Sequence, residues 1–194
     1  MITKSALVRR DADLLVELDR RAGAKVFLSI PFAERDTARA IEPWASEPAA
    51  RFETLRRLSE AGLETGVAIA PLIPGLNDSA IPEILERARD AGARHAFLVL
   101  LRLPAEVRPV FEERLREALP LRAERVLAAL ARMRPVGPSD FGARMRGHGA
   151  HWEAVWDLFR VTCRRLGLAH TEREAAPVEP LAPPRRGPEQ LRLF

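Results

Sequence analysis

The side chains best suited to chemistry in this sequence are few and spread along the chain. Thirty-one residues are basic, yet only Lys4 and Lys25 are lysine. A lysine ammonium is a compact point charge that can meet a carboxylate from several directions, so Lys4, inside the first apolar run, is a candidate anion contact. Ser29 closes the second apolar run with a hydroxyl able to bond a ribose. The third run leads into Ala70-Pro71-Leu72-Ile73-Pro74-Gly75-Leu76-Asn77-Asp78, a stiff turn in which Ile73 and Pro74 can lie against a flat ligand. The fourth ends in Leu101-Arg102-Leu103-Pro104. Each position also has a plainer role: a solvated end residue, a filler, or a turn with Asp78 or Ser79 capping the next helix. Singly the plainer role is preferred. Together, at four successive strand ends, the residues make a case for one shared site.

Other chemistries find little support. Cys163 is the sole cysteine, which rules out an internal disulfide, a zinc knuckle or an iron–sulfur site built from this chain alone. It falls on the apolar side of a helix and reads as a small buried hydrophobe. His95, His148, His151 and His170 share no ligand spacing, and there is no G-x-G-x-x-G, Walker or H-E-x-x-H motif. Tyrosine is absent.

The elements that must hold these residues follow from hydrophobic periodicity. Strands are expected at residues 2–8, 25–30, 65–70 and 96–101. A helix is expected over 11–22, with Leu14, Leu15 and Leu18 on one face and a stop at Gly23. One or two helices fall within 37–61, broken near Pro43 and Pro48, and another over 78–91 carries Ile81, Ile84, Leu85 and Ala88. Apolar strands alternating with helices imply an α/β fold with a parallel sheet buried on both faces, and ligands then gather at the carboxyl ends of the strands.

Past residue 104 the pattern is helical. Val107, Phe111 and Leu115 mark one helix, Val126, Leu127 and Leu130 a second, and Trp152, Val155, Trp156, Phe159, Cys163 and Leu166 a third. The chain divides into a β/α region (1–104), a helical extension (105–168) and a proline-rich flexible tail (169–194). No apolar run approaches the ~20 residues of a membrane span, and no signal peptide is legible, so the expected location is cytoplasmic. The net charge of +4 rests on arginine, read first as solvated helix faces and second as a modest affinity for nucleic-acid phosphates.

At these same segments the chain resembles radical S-adenosylmethionine (SAM) proteins related to spore photoproduct lyase, the SplB-like DNA repair photolyases. The carrying residues are Ile2-Thr3-Lys4-Ser5-Ala6-Leu7-Val8, Leu28-Ser29-Ile30, Ala38-Arg39-Ala40-Ile41-Glu42-Pro43, the 70–78 segment, Leu100-Leu101-Arg102-Leu103-Pro104, Ser139-Asp140-Phe141-Gly142 and Cys163-Arg164-Arg165-Leu166-Gly167-Leu168. The resemblance implies the third to sixth strands of an incomplete (β/α) barrel. It implies SAM and a [4Fe-4S] cluster as cofactors, with Lys4 on the SAM carboxylate, Ser29 on its ribose or amino-acid part, and the Ile73-Pro74 backbone near the adenine. The family's C-x-x-x-C-x-x-C cluster loop has no counterpart here, so the expectation is a C-terminal part of such a protein, inactive alone, of lyase or DNA-repair type. Gln190-Leu191-Arg192-Leu193-Phe194 is similar to the Q-L-x-L-F peptide by which bacterial repair proteins dock on the DNA polymerase sliding clamp. That likeness implies a binding role through Gln190, Leu191, Leu193 and Phe194, with the clamp and DNA as partners. The two further possibilities are a non-catalytic binding module and a degenerate remnant.

Overall fold

The protein's computed structural model describes residues 1–133 and 147–170. Its centre is a five-stranded, all-parallel sheet in the order β1 (Ile2–Thr3), β2 (Lys25–Ser29), β3 (Glu64–Leu72), β4 (His95–Leu100), β5 (Ala169–His170). Spatial order equals chain order. The connections carry α1 (Ala12–Ala22), α2 (Arg35–Ile41), α3 (Pro48–Glu60), α4 (Ile81–Asp90), α5 (Val107–Ala118), α6 (Pro120–Met133) and α7 (Ala150–Leu166).

Crossovers between parallel neighbours are right-handed, so a sheet wound in one direction collects its helices on one side. The main core reflects this. Val26 and Leu28 of β2, Val67 and Ile69 of β3, and Leu98 and Leu100 of β4 meet Leu55 and Leu58 of α3, Ile84 and Leu85 of α4, and Phe159 and Cys163 of α7. The helices are shaped for this contact. In α3 the i, i+3, i+7 spacing sets Phe52, Leu55 and Ser59 on one stripe, and Pro48 occupies the first turn, where a missing N–H costs nothing. Gly92, which ends α4, has φ of 92° and lies against Ser59, whose hydroxyl donates to the Gly92 carbonyl; only glycine fits.

The opposite sheet face corrects the expectation of burial on both sides. Around the buried Ser29, Gly66 and Ala68 it presents Lys25, Phe27, Glu64, His95, Phe97 and Val99, none of them fully buried and none in an apolar cluster. Phe27 tilts against Phe97 (centroids 5.1 Å apart) and against His95 (6.1 Å). Gly66 sits beneath them, and a Cβ there would run into the Phe27 ring. The apolar runs promised two covered faces; one-way winding covers one fully and leaves the other half covered.

A second cluster caps the carboxyl end of the sheet. Phe32, Ile73 and Leu76 from the post-strand loops pack with Ala38 of α2, Leu115 of α5, and Ala123, Val126 and Leu130 of α6. The outer strands differ most from expectation. β1 is two residues long because Ala6–Asp11 turns into a 3-10 helix opened by Ser5, whose Oγ accepts from Leu7 N at 3.2 Å. β5 uses Ala169 and His170, placed in the tail by the sequence, and extends the sheet through Ala169 N to Arg94 O (2.8 Å). In α1 no residue is fully buried, and Leu14 is 72% exposed although it shares the face expected to pack inward.

These contrasts set the expected stabilities. Gly66→Ala should destabilise the fold by about 1–3 kcal/mol through overpacking against Phe27, whereas Leu14→Ala should stay within about 0.5 kcal/mol of the parent. Urea unfolding followed by circular dichroism measures both.

Candidate functional site

The strand tips are joined by one buried cation. Arg51 stands in the first turns of α3, with its side chain only 2% exposed. Its Nη1 donates to the Ser29 carbonyl (2.7 Å), Nε to the Ser46 carbonyl (2.6 Å) and Nη2 to Glu42 Oε2 (2.7 Å). The other carboxylate oxygen of Glu42 takes the ammonium of Lys4. Lys4 follows β1 and Ser29 ends β2, so these neighbouring tips are connected through Lys4, Glu42, Arg51 and the Ser29 backbone. The guanidinium's fixed fork is what allows one side chain to satisfy three acceptors in different directions.

The third tip is tied in by Ser29 and Asn77. Ser29 Oγ donates to the Ala70 carbonyl at 2.7 Å. Asn77, also buried, donates from Nδ2 to the carbonyls of Pro31 (2.7 Å) and Pro71 (3.0 Å), while its Oδ1 accepts from Ile73 N (2.7 Å). The loops after β2 and β3 are thereby stitched together from below the tips. The Ala70-Pro71 peptide is cis.

The structure thus places Lys4 and Ser29 side by side at adjacent strand ends. It treats Ile73 and Pro74 differently. Ile73 is wholly buried in the second cluster, Pro74 is buried too, and the Ile73 carbonyl accepts from Leu76 N and Asn77 N. The expectation that the Ile73 side chain faces a ligand is corrected: α5 and α6 lie over this turn and take the side chain into the core. Asp78 does not cap α4. Its Oδ2 accepts from Gly75 N (2.9 Å) and pairs with His151 Nε2 (3.2 Å), closing the turn and docking α7. Gln190, Leu191, Leu193 and Phe194, together with the resembling segment Ser139-Asp140-Phe141-Gly142, lie outside the described residues.

Glu42, Arg51 and Asn77 were not singled out as site residues in the sequence. Arg51 had a legible signal: it stands four and seven positions before Leu55 and Leu58, on the face that α3 buries. An arginine on an apolar stripe needs partners, and the strand tips supply them.

At the opposite end of the sheet Glu64 pairs with His95 and with Lys25 (3.0 Å), and the His95 hydrogen bond, followed by Lys25, holds its carboxyl below the usual range. Cys163 is buried in the core and burial pushes its thiol up to about 12. Among the described residues no three His, Cys, Asp or Glu side chains gather as a metal site, and no helix is long and apolar enough to cross a membrane.

No family model matches the chain. It is 44% identical over 72 residues to the uncharacterized protein ORF301 of Acidianus two-tailed virus, a stretch covering 37% of this chain and 23% of the viral one. It is 29% identical over 113 residues to the uncharacterized proteins Mb2609c of Mycobacterium bovis and Rv2578c of Mycobacterium tuberculosis, covering 57% of this chain and 33% of each relative. The matched stretches therefore span a third or less of the relatives' own length.

Two outcomes follow from this geometry. Arg51→Ala strands the Glu42 carboxylate and two carbonyls, and should cost about 3 kcal/mol in urea unfolding, the low end for a broken buried pair because Lys4 still holds Glu42. Cys163, a neutral thiol at pH 8, should resist thiol-specific reagent in the folded protein and react on addition of denaturant.

Proposed function

We propose that this chain is the C-terminal part of a radical SAM protein related to the spore photoproduct lyase-like repair enzymes, an incomplete (β/α) barrel whose strand tips hold SAM. The observation that carries the reading is the linked pair Lys4 and Ser29 at neighbouring carboxyl ends of β1 and β2. Strands in chain order with helices on one side and a half-open second face are what a portion of a barrel looks like when its remaining strands are elsewhere. That the matched relatives are about three times or more the length of the matched stretch agrees with a larger parent.

The residues present divide the two cofactors. Four iron atoms need several thiolates, and Cys163 is single, buried and protonated. The chain's side chains do not fit a [4Fe-4S] cluster, and no radical step is assigned to it. SAM fits better. Lys4, half exposed, can exchange Glu42 for a ligand carboxylate, and Ser29 ends the neighbouring strand, its hydroxyl donating to the Ala70 carbonyl. The lesion-repair role is the class of reaction the resemblance suggests for the complete protein.

Equilibrium dialysis of labelled SAM against the whole chain is the test. Saturable binding is expected, weakened at least about tenfold by Lys4→Met, as suits the loss of one charge-assisted hydrogen bond. No binding, or binding that Lys4→Met leaves unchanged, overturns the reading.

A second reading rests on the Q-L-x-L-F match at Gln190 to Phe194: a segment with apolar anchors that enters a hydrophobic groove of the bacterial sliding clamp. Clamp captured by the intact chain and not by Phe194→Ala supports it; equal capture by both removes it.

A further inference from the structure

Trp44 stands in the loop between α2 and α3 and is 98% exposed. A bare indole is unusual, since tryptophan carries more apolar surface than any other side chain and is mostly buried on average. The other two tryptophans follow that rule: Trp152 and Trp156 stack on each other at 6.0 Å and pack with the main core.

The exposure of Trp44 is not that of a loose loop. Glu42 N donates to the Ala38 carbonyl (2.7 Å), Ala45 N to the Glu42 carbonyl (3.1 Å), and Ser46 accepts Ala6 N on its hydroxyl (3.0 Å) and Arg51 Nε on its carbonyl (2.6 Å). The indole thus forms one wall of a fixed cleft, whose remaining lining is Lys4, Ile41, Glu42, Pro43 and Ala45. Lys4 and Glu42 neutralise each other there. What the cleft offers is therefore apolar: the indole, the Pro43 ring, and the aliphatic groups of Ile41 and Ala45. It is open to solvent, whereas small-molecule sites enclose most of their ligand, so an extended chain suits it better.

The sequence contains a segment of matching chemistry in the stretch after β5, which lies outside the described residues. Pro177, Pro180 and Pro183 recur at every third position there, with Pro184 next to them. A polyproline II helix turns once in three residues, so prolines at this spacing share one edge. Proline favours that helix before binding, which is why such segments dock on aromatic-lined clefts at low entropic cost. Arg185 and Arg186 follow. Glu47, three residues past Trp44, offers them a carboxylate whose present pair with Arg35 is exposed on both sides and hence exchangeable.

The chain is long enough to close on itself. β5 and β1 are opposite edges of the sheet, four strand spacings or roughly 19 Å apart. His170 lies beside Ala96, four residues below the end of β4, about 13 Å along the strand. The diagonal from the foot of β5 to the tip of β1 is then about 23 Å, and residues 171–179 extend to about 30 Å.

We propose that residues 180–185 dock as a polyproline II helix in the Trp44 cleft of the same molecule, with Pro180 and Pro183 against the indole. The proposal goes beyond the SAM reading and does not rest on it.

Tryptophan fluorescence of the full chain tests it, the difference between parent and Trp44→Phe isolating the Trp44 signal. Replacing both prolines, Pro180→Ala with Pro183→Ala, should shift the Trp44 emission to the red and raise its quenching by acrylamide at least about twofold, as when docking shields half of the ring. Equal quenching with and without the two prolines overturns the proposal. So does a Trp44 signal that changes on dilution, because docking within one molecule is independent of concentration. No SAM is added, so the result stands apart from the SAM dialysis: either can fail while the other holds.

Discussion

A guanidinium out of reach of water must find acceptors, and the carboxyl end of this sheet is organised around that need. Taking Arg51 from solvent costs several kcal/mol unless every direction of its fork is met. Three are met, by the Ser29 and Ser46 carbonyls and by Glu42. Each acceptor lies on a different segment: the end of β2, the loop before α3, and the end of α2. Satisfying one charge therefore fixes three pieces of chain, and through Glu42 it fixes Lys4 behind β1 as well. Asn77 does the same in neutral form for the loops after β2 and β3. Loops that carry function are ordinarily the mobile part of an α/β protein; here their positions are set by buried polar side chains whose alternative is an unpaired group.

One-way winding decides what surrounds this cluster. It gathers α3, α4 and α7 behind the sheet and leaves Phe27, His95 and Phe97 in front, half covered. A parallel sheet is normally covered on both faces because its strands are apolar throughout. The front of this one is instead built from a mixture: small Gly66 and Ala68 in β3 between the aromatic rings, with Lys25 and Glu64 as an exposed ion pair at its lower end. Charged residues in the row blunt the exposed face, while the small residues let the rings lie close to the backbone. On this face the large side chains of β2 and β4 flank the small ones of β3.

The sequence made the inner strands and α4 plain, because burial imposes a period that survives in composition. Lys25–Ser29, Glu64–Leu72 and His95–Leu100 each lie within two residues of the expected bounds. It was least informative where few residues decide the outcome. β1 ends at Thr3 because the Thr3 and Ser5 hydroxyls accept from backbone N–H groups and turn the chain, a local competition that an apolar run 2–8 conceals. β5 is two residues long, too short to show any alternation. Leu14 and Leu18 form a proper helical stripe, but a stripe reports only that a face is apolar and not that something lies on it. The places of Lys4 and Ser29 at neighbouring strand ends were legible in the sequence, and their linkage was not: it passes through Glu42 and Arg51, 38 residues and more away from Lys4 in the chain. The burial of the Ile73 side chain was not legible because the helices that cover it begin more than 30 residues later, where no local pattern announces them.

The proposed reading asks a cluster whose polar groups already satisfy one another to receive a ligand, and the geometry is compatible with that. Lys4 is paired, yet the pair is asymmetric. The Lys4 side chain is 42% exposed, and Glu42 is nearly buried. Were Lys4 to turn to an anion, as the proposed reading requires, it would move through water without its charge being stripped of solvent or partner. Glu42 keeps its second oxygen on Arg51, so the carboxylate left behind is not orphaned. Had Lys4 been the sole partner of Glu42, each binding event would strand a buried carboxylate, a cost of the order of the several kcal/mol expected for an unpaired internal charge. Arg51 removes that cost by sharing Glu42 permanently. The buried arginine and the exposed lysine thus do different work on one carboxylate: the first holds the tips in register, and the second is left exchangeable at the mouth of the cleft.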